Sequence, residues 1–205
     1  MTVIAGYIRM LLKDRAGPLS DQQRRLLEEA EKSCARLSAL VAEVSDLASL
    51  EAGTAPFSRQ AVDIRTILRS AVEQLPPLPD REVQIVLETD QGPATVQADT
   101  ARLTQALGAL IAALRREVVM SDRLLVRERR TSTDRVEYEI RIADQETLEA
   151  FDQQPAGELP VFDEWRGGSG LSLAVARRVI NAHGGRLLAA PGDRKVGALI
   201  LLPAA

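Results

Sequence analysis

Residues 162–185 read FDEWRGGSGLSLAVARRVINAHGG, and this stretch says more about the fold than any other part of the chain. Glycines stand at Gly167, Gly168 and Gly170, directly before a segment with the apolar spacing of an amphipathic helix. A glycine turn that opens a helix can hold a phosphate, because the backbone N–H groups point at the anion. It can equally be a tight turn, since glycine adopts backbone conformations that other residues avoid. The rest of the chain has to distinguish these two interpretations.

The composition predicts an aliphatic core and a cytoplasmic protein. Of the 205 residues, 45 % are hydrophobic but only 3 % are aromatic, so Leu, Val, Ile and Ala must build the core. The net charge of -3 gives no basic excess for binding nucleic acid. The single cysteine, Cys34, cannot form an internal disulfide, which favours a reducing compartment. No apolar run reaches the roughly 18 residues of a membrane span, so we expect no membrane insertion.

The N-terminal part is predicted to be a hairpin of two helices. Residues 2–15 have one apolar stripe, Gly17 and Pro18 interrupt it, and residues 21–51 continue as a long helix. Apolar residues recur along the long helix in steps of four and three, which is the seam of a bundle: Ala30, Cys34, Leu37, Val41, Val44 and Ala48. One hairpin cannot bury such a seam. A second copy would complete a dimeric four-helix bundle, and packing against the rest of the chain is the alternative.

The pattern changes after residues 51–60, which are predicted to be a linker. Three helices and several strands are expected beyond it, with the helices at 62–75, 100–117 and 170–183 and the strands within 82–90, 94–99, 123–144 and 185–204. This order predicts an α+β chain. Residues 1–54 form the helical hairpin, and residues 55–205 form an α/β sandwich with helices on one face of a mixed sheet.

Several segments, taken in order, resemble the cytoplasmic core of bacterial sensor histidine kinases. TVIAGYIRMLL at 2–12 resembles the helix that follows the family's phosphoacceptor motif, and residues 17–53 resemble the turn and second helix. ADTARLTQALGALIAAL at 98–114 stands at the place of the N box, IRIAD at 140–144 at that of the G1 box, and GGSGLSLAVARRVINAHGG at 167–185 at that of the G2 box. The resemblance implies a dimerisation and phosphotransfer hairpin followed by an ATP-binding domain of the GHKL type.

The resemblance also indicates which parts of the family's nucleotide site have changed. In the N box, Ala109 and Ala113 replace the two asparagines that hold Mg²⁺ and phosphate in the family, and alanine cannot ligate a metal. In the G1 box, Asp144 remains at the position of the adenine-binding aspartate, but Glu146 and Leu148 replace two glycines. We expect these two side chains to fill the space of the base, and Asp144 to be a strand-end cap or turn residue.

The G2 box is the best-preserved part of this site. Gly168 and Gly170 remain, Ser172 takes the third glycine position, and a single residue separates Trp165 from the glycines, which leaves almost no ATP lid. A site without a lid leaves phosphates in water, where electrostatic stabilisation is weak. The vestigial nucleotide-binding residues are therefore Asp144, Gly168 and Gly170. We expect no metal site and no cofactor, with ATP and Mg²⁺ bound only if this degenerate site still functions.

No phosphoacceptor is recognisable in residues 1–205. The only histidine, His183, lies in the AHGG segment, where the family has a helix C-cap and not the phosphorylated residue. By the resemblance, the acceptor histidine belongs upstream of Met1. The far half of the long helix also lacks an antiparallel partner of equal length, so we expect either that the native chain begins upstream of Met1 or that another helix covers this stripe.

These observations leave three functions open for a two-component signalling protein. The favoured hypothesis is a catalytically inactive histidine-kinase-like protein that forms a homodimer through the hairpin and docks a response regulator receiver domain or another kinase. Its candidate contact residues are Arg9, Lys13, Arg24 and Arg25. The second hypothesis is a histidine phosphotransferase whose phosphoacceptor helix is trimmed at its start. The third is a fragment of an active ATP-dependent sensor kinase.

Overall fold

The computed structural model describes residues 2–132, 136–165, 170–192 and 196–205. The chain divides into two compact units, the first ending at Ala48 and the second spanning Ser49–Ala205. The first unit is helical, and every described strand belongs to the second. Within the described ranges, no helix is both long enough and apolar enough to cross a membrane.

The first unit is built from two helices joined by a tight turn. Helix α1 spans Thr2–Leu12 and α2 spans Asp21–Glu51. Ser20 begins α2 with a capping box: its hydroxyl accepts a hydrogen bond from the Gln23 N–H (3.3 Å), and the Gln23 side-chain oxygen accepts one from the Ser20 N–H (2.9 Å). The first helix ends at Leu12 rather than at the predicted residue 15. The Arg24 guanidinium donates to the Leu12 carbonyl oxygen (2.9 Å) and so satisfies one of the carbonyls at this helix end.

Both helices of the hairpin present apolar side chains to solvent. Among the described residues of this unit only Ile8 is buried, and α2 buries none. Val41 is 61 % exposed, and the other exposed large apolar side chains of the unit include Val3, Ile4, Tyr7, Met10, Leu26, Leu37, Leu40 and Val44. The predicted seam therefore lies at least partly on the surface of a single chain. An apolar stripe of this length marks an interface.

The second unit contains the remaining elements in an order that alternates strands and helices. The strands are β1 Gln60–Asp63, β2 Gln84–Thr89, β3 Thr95–Ala98, β4 Arg123–Ser132, β5 Val136–Ala143, β6 Arg186–Ala189 and β7 Gly197–Pro203. The helices are α3 Ile64–Glu73, α4 Thr100–Glu117, α5 Gln145–Gln153 and α6 Ser172–Ala182, with a short 3-10 turn at Ala156–Glu158.

The described strands form one large mixed sheet and one small ribbon. The five-stranded sheet has the order β2-β4-β5-β7-β6, in which β2 is parallel to β4 and the other neighbours are antiparallel. In the ribbon, β1 pairs antiparallel with β3. The predicted fold class, a helical hairpin followed by an α/β unit with a mixed sheet, is confirmed.

The large sheet has a helical layer on each face. On one face α3, α4 and α6 pack over alternate strand residues such as Ile140 and Ile200, and these form the main core. On the other face Leu199 and Leu201 pack with Leu148 and Phe151 of α5 in a second, smaller cluster. The sequence predicted helices on one face only. That expectation is wrong because α5 lies on the other face.

The first strand of the second unit was also not predicted. Residues 62 and 63 were assigned to a helix over 62–75, but Asp63 is the N-cap of α3, and its carboxylate accepts a hydrogen bond from the Arg65 N–H (2.9 Å). The helix therefore begins at Ile64, and the residues before it are extended. They pair with 95–98, a contact that no local pattern in the sequence indicates.

Candidate functional site

Asp144 is the residue at which β5 ends and α5 begins. It is the N-cap of α5, and its Oδ1 accepts a hydrogen bond from the Thr147 N–H (2.9 Å). Leu148, at the position of a family glycine, is fully buried in the cluster on this face of the sheet. The structure thus uses the Asp144 carboxylate to cap a helix that begins directly after β5.

Helix α5 packs closely against the start of β7. A Cβ atom added to Gly197, the first residue of β7, would lie 2.8 Å from Thr147 Cγ2 and 2.7 Å from Ala190 Cβ. These distances are shorter than side-chain atoms tolerate, so glycine is required for the approach. The sequence carried a signal for α5, since Leu148 and Phe151 stand three residues apart after an aspartate cap.

The N-box positions lie on α4 and belong to the protein interior. Ala113 is buried, and Ala109 is half-buried and packs against the main core. Leu107, Leu110 and Leu114 on the same helix are fully buried. No group of three or more His, Cys, Asp or Glu side chains that could hold a metal ion occurs in the part of the chain that the structure describes. The helix at this position supplies packing, and its alanines offer no oxygen ligand.

The glycines before α6 lie at the edge of what the structure describes. Gly168 is outside the described residues. Gly170 has φ +61, a left-handed conformation that glycine adopts without strain, and a Cβ atom at this position would meet no atom within 4 Å. Because α6 begins at Ser172, Gly170 makes the turn into the helix.

The segment after Phe162 is held by ion pairs to α6. Phe162 is buried, and so is Glu164, whose carboxylate lies 2.7 Å from Arg177 Nη1 and 3.3 Å from Arg178 Nη1. Arg178 also pairs with Glu51 at 3.0 Å. These contacts fix the position of the chain on the approach to the glycines. The side chain of Trp165, which follows, is 64 % exposed.

His183 follows α6 and is buried with both ring nitrogens engaged. Its Nδ1 lies 2.7 Å from the Val179 carbonyl oxygen, and the Asp99 N–H donates to its Nε2 at 2.9 Å. A carbonyl only accepts and an amide N–H only donates, so the ring is the neutral Nδ1–H tautomer. Burial lowers the pKa of His183 below its usual 6.5. The ring therefore holds a structural position at the helix end, where a phosphoacceptor would need a free nitrogen.

The four basic residues predicted to contact a partner have different surroundings. Arg24 pairs with Asp14 (2.9 Å) and bonds the end of α1, so it stabilises the hairpin turn. Arg9 donates to the Ala5 carbonyl oxygen (3.2 Å) on its own helix. Lys13 and Arg25 are exposed. Of the four, these last two are the most available for contact with another molecule.

Comparisons with known proteins agree with this architecture. Residues 1–53 match the His Kinase A (phospho-acceptor) domain family, HisKA. The chain is 25 % identical over 192 residues to the sensor protein DivL of Caulobacter vibrioides, covering 90 % of this chain and 24 % of that protein. It is 28 % identical over 171 residues to the sensor histidine kinase ZraS of Salmonella typhi, covering 83 % of this chain and 36 % of the relative. The chain thus spans about a quarter to a third of the length of these relatives.

Solved histidine kinase structures share the fold. The histidine kinase AdeS of Acinetobacter baumannii aligns with a TM-score of 0.60 and 18 % identity over 98 % of this chain and 94 % of that one. Full-length ShkA in complex with AMPPNP aligns with a TM-score of 0.64 and 22 % identity over 100 % of this chain and 46 % of that one. By its fold, by the HisKA match over residues 1–53 and by these relatives, the chain is similar to the core of sensor histidine kinases.

Proposed function

We propose that this chain is a catalytically inactive member of the family that acts as a dimeric docking module in two-component signalling. Residues 1–54 form the dimerisation hairpin, and residues 55–205 form a domain that has lost ATP binding or binds ATP very weakly. The observation that carries the proposal is the hydrogen bond between the Asp144 carboxylate and the Thr147 N–H. The lone cysteine fits a reducing compartment such as the cytoplasm.

The state of Asp144 supports the loss of adenine binding. An aspartate that receives an adenine amine must present a carboxylate oxygen to a cavity large enough for the base. Here Oδ1 caps α5, and the helix that follows places Leu148 and Phe151 in a packed cluster. Moving α5 away to admit a base costs both the cap and this burial, about 1 kcal/mol for the cap alone.

The residues of α4 support the loss of Mg²⁺ binding. Mg²⁺ requires oxygen ligands, and the phosphate charge of ATP is normally neutralised by that ion. The positions that supply these ligands in the family are Ala109 and Ala113, which pack in the interior. The side chains at these two positions therefore offer no oxygen that could hold the ion beside the triphosphate.

The exposed seam supports a dimer. Leu37, Val41 and Val44 follow one another along α2 in steps of four and three and are exposed in a single chain. Burying apolar area stabilises by about 25 cal/mol for each Å² removed from water, so pairing two hairpins is strongly favoured.

The same hairpin is the proposed docking surface for a response regulator receiver domain or another kinase. The histidine kinase ThkA, solved in complex with the response regulator protein TrrA, aligns with this chain at a TM-score of 0.53 and 16 % identity over 100 % of this chain and 57 % of that one. We propose Lys13, Arg25 and Arg9, which are exposed, as contacts, together with the half-buried Arg24.

A second candidate function is a histidine phosphotransferase. The match of residues 1–53 to the phosphoacceptor family favours it, because that family carries the phosphorylated histidine on its first helix. It predicts a histidine codon in the reading frame just upstream of Met1. A stop codon there would remove this candidate and leave the docking module. An active ATP-dependent kinase is the third candidate. It requires ATP binding, which we propose is lost or very weak in this chain.

Titration with a fluorescent ATP analogue and Mg²⁺ tests the loss of nucleotide binding. We expect no saturable binding up to about 1 mM, a standard free energy weaker than about -4 kcal/mol. Micromolar binding contradicts the proposal. The control variant is Asp144→Asn, because asparagine caps helices as well as aspartate. If Asp144 is only a cap, the variant leaves any residual binding unchanged.

Sedimentation equilibrium tests the dimer. We expect the chain to be dimeric and Val41→Glu to be monomeric, because the variant places a charge in the buried seam. Ser38→Glu is the matched control, since Ser38 is exposed on the same helix outside the seam. A Val41→Glu protein that stays dimeric would show that the seam is not the interface.

A further inference from the structure

The segment between α2 and β1 is bound to the rest of the second unit. We call Phe57–Arg59 the strap. The Ser58 N–H donates to Asp99 Oδ2 (3.0 Å), and the Arg59 guanidinium donates to the Ala182 carbonyl oxygen at the end of α6. The Phe57 ring packs edge-on against the His183 ring, with centroids 5.3 Å apart. All of these residues belong to the second unit.

His183 and Asp99 are the two residues of the second unit that the strap contacts through Phe57 and Ser58. The Asp99 N–H donates to His183 Nε2, while its carboxylate oxygens accept from the Ser58 N–H and from the Arg102 N–H (3.1 Å). One residue thus joins the ring, the strap and the first turn of α4. Any movement of Asp99 away from the ring also moves the acceptor of the Ser58 bond.

Protonation of the ring is incompatible with this arrangement. A protonated imidazole carries a hydrogen on Nε2, which would point at the Asp99 N–H, and two donors at 2.9 Å repel each other. The added proton cannot go to Nδ1 instead, because Nδ1 already carries a hydrogen that it donates to the Val179 carbonyl oxygen. The ring can gain a proton only if Asp99, and with it the strap, moves away.

We propose that His183 is a pH-sensitive lock on the strap: the neutral ring holds Phe57–Arg59 against the end of α6, and protonation of the ring releases them. Release frees the Ser58 N–H and the Arg59 guanidinium from their acceptors, while Leu50 and Glu51, earlier in the chain, keep their own contacts within the second unit. The lock therefore gives this chain a means of loosening the segment directly before β1 in response to acid.

The charges around the ring come from three elements. Arg59 on the strap and Arg102 on α4 both disfavour a positive ring, and their guanidinium carbons lie 5.6 and 5.2 Å from the centroid of the Phe57 ring that covers it. Asp99 favours a positive ring, but both of its carboxylate oxygens already accept hydrogen bonds. Burial is the largest effect and also lowers the pKa of His183.

The sign of the response follows from this lowered pKa. With the strap open, the ring titrates near its ordinary pKa of about 6.5, while the docked ring titrates lower. The docked state is therefore most stable above about pH 6.5 and loses stability as the pH falls from there toward the pKa of the docked ring. The open population rises by up to tenfold for each pH unit in that window.

Proton NMR gives a direct first test. Because His183 is the only histidine in the chain, its ring C–H resonances titrate without overlap. We expect a midpoint below 6.5. A midpoint at or above 6.5 overturns the proposal, because it would mean that the cation is accommodated, for instance by the Asp99 carboxylate.

Amide hydrogen exchange tests the release itself. The protection factors of the Ser58 and Asp99 amides should fall about tenfold per unit from about pH 6.5 downward, while the Val118 amide, bonded to Leu114 at the far end of α4, keeps its protection. His183→Gln is the matched control, since its side-chain oxygen can accept from the Asp99 N–H without titrating. In that variant we expect protection that does not change with pH. Equal pH dependence in both proteins overturns the proposal, and the NMR midpoint decides if the variant does not fold.

Discussion

Arg65→Met should destabilise the second unit more than any other single change to an ion pair in the described residues. The Glu128 side chain is fully buried, and its Oε2 accepts from Arg65 Nε (2.9 Å) and the Asp90 N–H (3.2 Å). Its Oε1 has no hydrogen-bond partner among the described residues. Removing the guanidinium leaves a buried carboxylate without a counter-charge, which costs about 3–5 kcal/mol.

The expected loss is large enough to measure easily. For a protein of this size, each kcal/mol lowers the melting temperature by about 2–4 °C, so we expect a fall on the order of 10 °C. Urea denaturation followed by circular dichroism measures the free energy of unfolding directly. A loss below about 1 kcal/mol would refute the reasoning, because that is the range of an exposed ion pair.

The double variant Arg65→Met, Glu128→Leu separates the charge effect from lost packing. Replacing both partners of a buried pair with apolar residues is often neutral or stabilising. We therefore expect the double variant to recover most of the stability that Arg65→Met loses. Arg65 also donates to the Gly92 carbonyl oxygen (2.8 Å), and Glu128 also accepts from the Asp90 N–H (3.2 Å), so any shortfall in the recovery measures the loss of these two bonds together.

Two further substitutions test the packing of α5. Asp144→Ala should lower the free energy of unfolding by about 1 kcal/mol, since it removes the N-cap, and Asp144→Asn should restore it; equal losses in both variants would contradict the cap. Gly197→Ala should cost about 1–3 kcal/mol in the same urea assay, because its Cβ would meet Ala190 and Thr147 at less than 3.0 Å. Gly108→Ala is the opposite-sign control: it lies inside α4 with its nearest neighbour at 3.7 Å, and it should stabilise by up to about 1 kcal/mol.

Local patterns predicted the long elements well. The expected helices over 21–51 and 100–117 are α2 and α4 with the same bounds, because each has a cap residue before it and an unbroken helical period. The strands within 123–144 and 185–204 were predicted for a similar reason, since alternating apolar residues face the main core. Periodicity is a property of neighbouring residues and can therefore be read without the fold.

The candidate site was less predictable because its meaning depends on distant contacts. The resemblance implied that Ala109, Ala113 and Leu148 stand at positions of a nucleotide site, and the sequence predicted that Asp144 is a strand-end cap or turn residue. It did not indicate that a complete helix, α5, begins at Asp144 and covers the second face of the sheet. The local signal that specifies this helix is the apolar spacing of Leu148 and Phe151 after Asp144.

The sequence by itself determined the hairpin and the mixed sheet with its main helical layer, because these follow from residue type and spacing. Only the tertiary structure decided the roles of Asp144, Gly197 and His183. Each depends on an atom contributed by a segment far away in the chain or on a helix not recognised from local pattern, such as the Asp99 N–H that faces His183 from 84 positions away. Hydrogen bonding, burial and charge at such points are properties of the assembled fold.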